Sequence, residues 1–435
     1  MTPRPVLPGE DPFYEPPPGF ESQPAGAILR ARQVELALFG IVRQAVSAWQ
    51  LLYRSCDLNR QPQVAVTTVL LPSGADPGQH RPLLAYQCAI DAVADAGFPS
   101  YALRHGARSR GCVPQFEFLV IANALDRGWA VSIADHEGRG GFFGAPREPG
   151  YRVLDGIRAA MSFEPLGLAP EVPVAVWGYS GGGMASSWVI EMAPEYAPEI
   201  AIVGAVLGAP VGDPGQTLLK LNGTWLAGLP TMVIAALRHL YPDLNRLLRT
   251  HVNPEGLHRL DAIEKLGTVA AIRHFRNDDL DNYTDQPLAD LLATPEIVLL
   301  IDDLRLGLHR PACPVMVLQP VHDQFIDVRA VDGQVQRYLD AGAHVEYLRD
   351  RLSEHLTLMP LSAPAALDWL TDRIAGRPLG QPGITTVLSL ACSRQGIGGL
   401  LRMAQVAGRV FLGLPLRARD PQQAPAAERD GLPAA

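Results

Sequence analysis

The chain has 435 residues, 47% of them hydrophobic, so it can bury a large core and exceeds what one compact α/β domain needs. A formal net charge of −8, with no basic stripe interleaved with aromatics, argues against a nucleic-acid partner. The five cysteines, Cys56, Cys88, Cys112, Cys313 and Cys392, form no C-x-x-C pair and are odd in number, which argues against zinc and leaves at least one thiol unpaired within the monomer.

Residues 1–25 carry Pro12, Pro16, Pro17 and Pro18 and lack both a basic start and an apolar stretch. They read as an extended N-terminal arm without a secretory signal, which favours a cytoplasmic or cell-associated chain. Residues 28–53 begin with a strand and hold a helix-like run; 63–71 and 129–134 read as strands, and 151–160 as a helix. An apolar run at 173–177 reads as a strand, 184–191 suit a helix, and 202–207 form a further strand. Such alternation predicts an α/β protein with a mostly parallel central sheet flanked by helices.

Strand signals then stop, and residues 218–310 show helical periodicity, as in Leu244, Leu247, Leu248 and Val252, with Asp243 as a candidate N-cap. Strands return at 314–319 and 344–348, so the helical block is an insertion after the sixth strand, placed as a cap or lid. The uncharged run 221–237 is too interrupted by Gly223, Gly228 and Pro230 for a membrane helix; it either packs inward as lid core or lines an acyl-chain tunnel. The acidic run 277–285 reads as a solvated lid turn. Beyond 376, Leu400, Met403, Ala404, Ala407, Val410, Phe411 and Leu414 recur at helical spacing, which predicts a docked helix, with a membrane-surface helix as the alternative. Residues 417–435 read as a disordered tail. The organisation expected is an arm over 1–25, a core over 26–210 and 311–378, a cap over 211–310, and a helical extension with tail over 379–435.

The chemistry concentrates at Gly178-Tyr179-Ser180-Gly181-Gly182, a G-x-S-x-G pattern between the strand at 173–177 and the helix at 184–191. A serine hydroxyl becomes a useful nucleophile at a sharp strand-to-helix turn, where a base reaches it and backbone N–H groups meet an oxyanion. That is the nucleophile elbow of an α/β hydrolase, in which the acid and then the histidine follow the serine along the chain. Asp323 lies just beyond the strand ending at 319, and His355 just beyond the next, before a helix that Ser362 could cap and Pro364 could begin. Asp327 is the rival acid, although it could instead begin the following helix. His322 and His344 sit before the required loop or on the strand, and Glu354 reads as solvated.

Taken together, these residues resemble the secretory lipase family, an actinobacterial type of α/β hydrolase. The resemblance spans about residues 10–378 and rests on Asp11-Pro12-Phe13-Tyr14, Leu52-Tyr53-Arg54-Ser55, Tyr86-Gln87 with Asp91, Pro99-Ser100-Tyr101, Asp135-x-Glu137-Gly138, the GYSGGG elbow, and the Asp323 and His355 segments. It implies a Ser180, Asp323 and His355 triad and an oxyanion hole made by the Gly181 N–H with a contribution from Asp91. Bland roles compete: Asp91 could cap a helix, while Asp135 and Glu137 could pin a loop. Family members often carry a cysteine before Pro-Ser-Tyr where this chain has Gly97-Phe98, so no disulfide is carried over.

The expected function is hydrolysis of acyl esters, lipid or acylglycerol-like, through an acyl-serine and without a cofactor. The expected partners are a lipid or ester substrate and, transiently, a membrane or lipid surface, with no nucleic acid. Acyl transfer by the same triad and a non-catalytic binding protein of this fold are the alternatives, with a peptidase behind them. No G-x-x-x-x-G-K-[ST] motif is present, and Gly138, Gly140 and Gly144 miss the G-x-G-x-x-G spacing of a dinucleotide site.

Overall fold

In the computed structural model, which describes residues 4–76, 79–109 and 111–416, a ten-stranded sheet runs through the molecule. Its N-terminal edge is antiparallel: β1 (Ile28–Gln33) pairs with β4 (Val46–Cys56), and β4 with β5 (Pro62–Pro72). A separate small hairpin joins β2 (Ala37–Leu38) to β3 (Val42–Arg43). The remaining strands are mutually parallel: β6 (Leu83–Gln87), β7 (Ala130–Ala134), β8 (Val174–Tyr179), β9 (Ile202–Gly208), β10 (Val315–Pro320), β11 (Val345–Asp350) and β12 (Gly383–Val387). The order β1-β4-β5-β7-β6-β8-β9-β10-β11-β12 puts β8 in the middle, so the turn after it opens at the C-terminal edge of the parallel strands, where α/β folds bind ligands.

Helices cover both faces, and side chains alternate between them along each central strand. Val174 and Val176 of β8, with Val315 and Val317 of β10, join a core under α3 (Glu148–Ser162), α4 (Gly181–Tyr196) and α12 (Val328–Asp340). Ala175, Trp177, Met316 and Leu318 point the other way. They pack under α2 (Val113–Asp126), α13 (His355–Ile374) and α14 (Arg394–Phe411). A short α1 (Pro99–Ala102) precedes α2. This is the α/β-hydrolase arrangement anticipated from the alternation of elements.

The helix-like run expected within 28–53 is a strand instead. Pairing along all of β4, from Val46 opposite Pro72 to Cys56 opposite Pro62, overrides the helix preference of its Ala, Leu and Gln residues. Seven strands of the large sheet precede the cap, which the sequence placed after a sixth; the short buried β6 (Leu83–Gln87) was missed as well. The strand β12 was also missed. It lies within the extension read as helical and adds to the sheet edge beside β11, although its own residues are mostly exposed and carry little apolar patterning.

The cap follows β9 and contains α5 (Pro214–Leu221), α6 (Gly228–Leu237), α7 (Pro242–His251), α8 (Pro254–Ile263), α9 (Thr268–His274), α10 (Leu288–Leu292) and α11 (Pro295–Leu304). Asp213 and Asn253 cap α5 and α8, each followed by a proline whose missing N–H costs nothing at that position. Asp243 is not a cap, because Pro242 starts α7 one residue earlier and Tyr241 takes the N-cap. The acidic run is more than a solvated turn: Asp278 pairs with Arg259 at 2.8 Å and accepts from Tyr283, and Asp279 accepts from Asn222 at 2.7 Å. The C-terminal helix α14 docks as anticipated, with Val406 and Val410 buried; residues 417–435, read as a tail, lie outside the described residues. Among the described residues no helix is long and apolar enough to cross a membrane.

One fully buried ion pair ties α3 to the strand ends that face the site. Arg152 lies 2.7 Å from Glu148, one turn earlier, and donates to the His136 carbonyl in the loop after β7, while Glu148 also accepts from Leu58 N at 2.6 Å. Removing one partner of such a pair leaves an uncompensated buried charge, which costs far more than a surface bridge. Glu148→Gln is expected to lower the unfolding free energy by about 3–5 kcal/mol in denaturant melts. A loss below about 0.5 kcal/mol, the scale of a neutral surface change, would mean that the pair contributes nothing.

Candidate active site

The turn between β8 and α4 carries Ser180 at φ 55° and ψ −121°, a conformation few residues with a Cβ adopt, held here by its N–H donating to the Gly208 carbonyl at 2.8 Å. Neighbouring backbone approaches too closely for any side chain. A Cβ on Gly182 would lie 2.0 Å from the Gln87 carbonyl oxygen, and one on Gly181 would lie 1.9 Å from Oδ1 of Asp91. The first collision makes Gly182 a steric requirement of the turn. The second shows how close the Asp91 carboxyl comes to the backbone just after the serine.

His355 reaches the serine from the first position of α13. Its Nε2 lies 2.9 Å from Ser180 Oγ and its Nδ1 2.8 Å from Asp323 Oδ2, so a proton on Nδ1 directed at the carboxylate leaves Nε2 to accept from the serine. The ring stacks on Phe325 at a centroid distance of 4.3 Å, and the His355 carbonyl accepts from Tyr179 Oη at 2.6 Å. Asp323 is buried and oriented by its own loop: Oδ1 accepts from Phe325 N at 2.7 Å and Ile326 N at 2.9 Å, and Oδ2 from Gln319 Nε2 at 3.1 Å. Lys220 of the cap helix α5 donates to the Asp323 carbonyl at 2.6 Å.

Two expectations about this region are corrected. The histidine does not precede a helix begun by Ser362 and Pro364; it starts the helix, because Glu354 and Thr357 form a reciprocal capping box there, and both Pro360 and Pro364 lie inside. Glu354 is accordingly a cap rather than a solvated bystander. The rival acid Asp327 caps α12 by accepting from Arg329 N at 2.8 Å.

Asp91 stands opposite, in the loop after β6, with φ 45°. Its backbone N–H is taken by Glu137 Oε1 at 3.2 Å, and its buried Oδ1 has no hydrogen-bond partner. Burial pushes its carboxyl up to about 7, although the nearby His355 draws it down. Other buried carboxyls brace the same region. Glu117 accepts from Ala89 N at 2.9 Å and Tyr86 Oη at 3.0 Å, and Asp135 accepts from Ser100 N at 3.0 Å. Glu137 and Asp135 thus do pin loops, as the bland reading held. Glu117 escaped sequence reasoning altogether, because only the folded chain brings α2 to the loop after β6.

Above the serine lies a cavity of about 690 Å³, within the range of small-molecule sites and almost wholly apolar. Residues 221–237 pack inward and also line this cavity, on different faces of α6. Met232, Ala235 and Ala236 are buried in the core, while Leu229, Val233 and Ile234 line the cavity.

A family model described as secretory lipase matches residues 103–382. Lipase A of Arthroderma benhamiae is 34% identical over 382 residues, covering 86% of this chain and 81% of that protein. The chain belongs to the secretory lipase family. A Mycobacterium tuberculosis protein described as a "probable inactive lipase" is 49% identical over 416 residues, 96% of this chain and 93% of that one. The X-ray structure of Candida antarctica lipase A superposes with a TM-score of 0.84, covering 94% of this chain and 98% of that one at 24% identity, a likeness of fold. The five cysteines are free, four of them buried, so no disulfide stands in for the family's additional cysteine.

The buried carboxyls make stability depend on pH. Burial holds Asp91 and Asp135 at about 7 and Glu117 at about 8, against about 4 in an unfolded chain. Between those values the folded state binds more protons, so its stability falls as pH rises through about 4 to 8. The melting temperature should therefore decline from pH 5 to pH 9, less steeply in Glu117→Gln; a rise over that interval would contradict the assignment.

Proposed function

We propose that the chain is a serine carboxylic ester hydrolase that cleaves acyl esters, lipid or acylglycerol-like, through an acyl-serine intermediate. The observation that carries this reading is the hydrogen-bonded series Ser180, His355, Asp323, opening on an apolar cavity of about 690 Å³. Ser180 Oγ attacks the ester carbonyl carbon while His355 Nε2 takes its proton, and Asp323 holds the imidazole and stabilises the charge it gains. The carbonyl oxygen becomes an oxyanion. Gly181 N–H, at the first position of α4 and without an intrahelical acceptor, receives it. Because the Asp91 N–H is already used, the second donor is its carboxyl group in the neutral form.

Collapse of the tetrahedral intermediate breaks the C–O bond, and the alcohol leaves with the proton from His355. Water then attacks the acyl-serine, giving its proton to His355, and the acid departs as the proton returns to Ser180. The apolar cavity suits an aliphatic acyl chain, whose burial contributes about 0.8 kcal/mol per methylene. Requiring a neutral Asp91 gives a sign to the pH dependence. Its proton is lost as pH rises through about 7, so turnover weakens on the alkaline side.

A non-catalytic role draws support from the description of the M. tuberculosis relative as inactive. Hydrolysis of p-nitrophenyl butyrate, octanoate and palmitate by wild type and Ser180→Ala separates the two readings. The ester-hydrolase reading expects the substitution to cut the rate at least about a thousandfold, longer chains to be accepted, and the wild-type rate to fall above about pH 7. Equal rates from both proteins, or none from either, would sink it.

A further inference from the structure

The loop that carries Asp91 is held from the core on one side and from the cap on the other. On the core side, Glu117 accepts from Ala89 N, Glu137 accepts from Asp91 N, and His136 Nε2 lies 2.8 Å from the Cys88 carbonyl oxygen. The Asp91 carbonyl points the opposite way, to the cap. There the Thr268 hydroxyl, at the first residue of α9, donates to it at 3.0 Å and lies 3.4 Å from the Ile90 carbonyl oxygen. Thr268 is itself buried, and α9 packs closely on α6, where a Cβ on Gly228 would lie 2.6 Å from the Ala271 carbonyl. The same α6 supplies Leu229 and Val233 to the cavity wall.

Asp91 needs such bracing. At φ 45° a residue with a Cβ is strained and persists only where its surroundings over-determine it. Its N–H and its carbonyl are the two handles by which the peptide on either side can be held. The core grips the first and Thr268 the second.

We propose that Thr268 is a positioning residue for the oxyanion-binding carboxyl of Asp91, so that the cap helix α9 is part of what assembles the active site. This rests on the serine-hydrolase reading of the same site. Thr268 touches no reacting atom; it fixes the peptide from which Asp91 projects. Docking of α9 on the core and the geometry of Asp91 are thereby one event, and a cap displaced at α9 leaves an enzyme whose Ser180 and His355 are intact but whose oxyanion hole lacks a placed second donor. Loss of a whole oxyanion donor costs about 10²–10³ in kcat, so loss of its bracing is expected to cost less, about tenfold.

The test is a double-mutant cycle on p-nitrophenyl octanoate with Thr268→Val, which removes the hydroxyl at nearly constant shape, and Asp91→Ala. Thr268→Val should lower kcat about tenfold and change KM by less than about twofold, while Thr268→Ser, which keeps the hydroxyl, stays within about twofold of wild type in both. In the Asp91→Ala background the valine substitution should cost nothing further, since the group it positions is gone. A general loosening of the cap would instead lower kcat equally in both backgrounds. That outcome, an unchanged kcat in Thr268→Val, or a serine variant as impaired as the valine one overturns the proposal. Should the valine variant not fold, Thr268→Ala replaces it in the cycle. Absence of Ser180-dependent turnover in the wild type is a different failure, which removes the serine-hydrolase reading and this inference with it.

Discussion

The site depends on how closely two pieces of backbone approach at the end of β8. Ser180 can project towards His355 only from a strained turn, and the turn exists only because Gly182 lets the Gln87 carbonyl come within reach of its Cα. The same closeness brings the Asp91 carboxyl against Gly181. The parallel sheet aligns β6 and β8 side by side, Leu83 opposite Val174 through Gln87 opposite Gly178, so the loops that follow them must meet.

That meeting has a cost that the fold offsets with hydrogen bonds. Buried carboxyls are unfavourable when charged, and several surround this contact; burial raises Asp91, Asp135 and Glu117 well above the usual carboxylate range, outweighing the hydrogen bonds that favour ionisation of Asp135 and Glu117. The arrangement combines bracing with chemistry. Glu117 and Glu137 accept backbone N–H groups and hold loops, whereas Asp91 has its N–H occupied and an oxygen left without a partner, which is why we propose its carboxyl as a donor to the ligand. The cap contributes Lys220 to the Asp323 loop and Thr268 to the Asp91 loop, so it touches both sides of the serine besides roofing it.

Much of this was legible in the chain itself, for reasons of locality. Strand, turn and helix around Ser180 are contiguous, so glycine spacing and an apolar run expose them; Asp323 and His355 follow strands that their own residues announce. The helix beginning at His355 was misplaced because proline at 364 suggested a start, while the capping pair Glu354 and Thr357 sits on residues that also suit a loop. The strand β4 looked helical because its composition suits a helix and its partner strand decides otherwise. Glu117 and Thr268 left no local signal at all. Glu117 lies 28 residues from Ala89, and Thr268 lies 177 residues from Asp91, so their roles exist only in the folded chain.

The proposed ester hydrolysis depends on one activated hydroxyl, and chemical trapping reads it without any assumption about the natural substrate. Intact-mass and peptide analysis after exposure to an alkyl fluorophosphonate should find one phosphonyl group per chain, on the peptide that contains Ser180, with labelling strongly slowed in His355→Ala. A wild-type protein that stays unmodified under conditions that label an ordinary serine hydrolase, or that is modified at another serine, would contradict it.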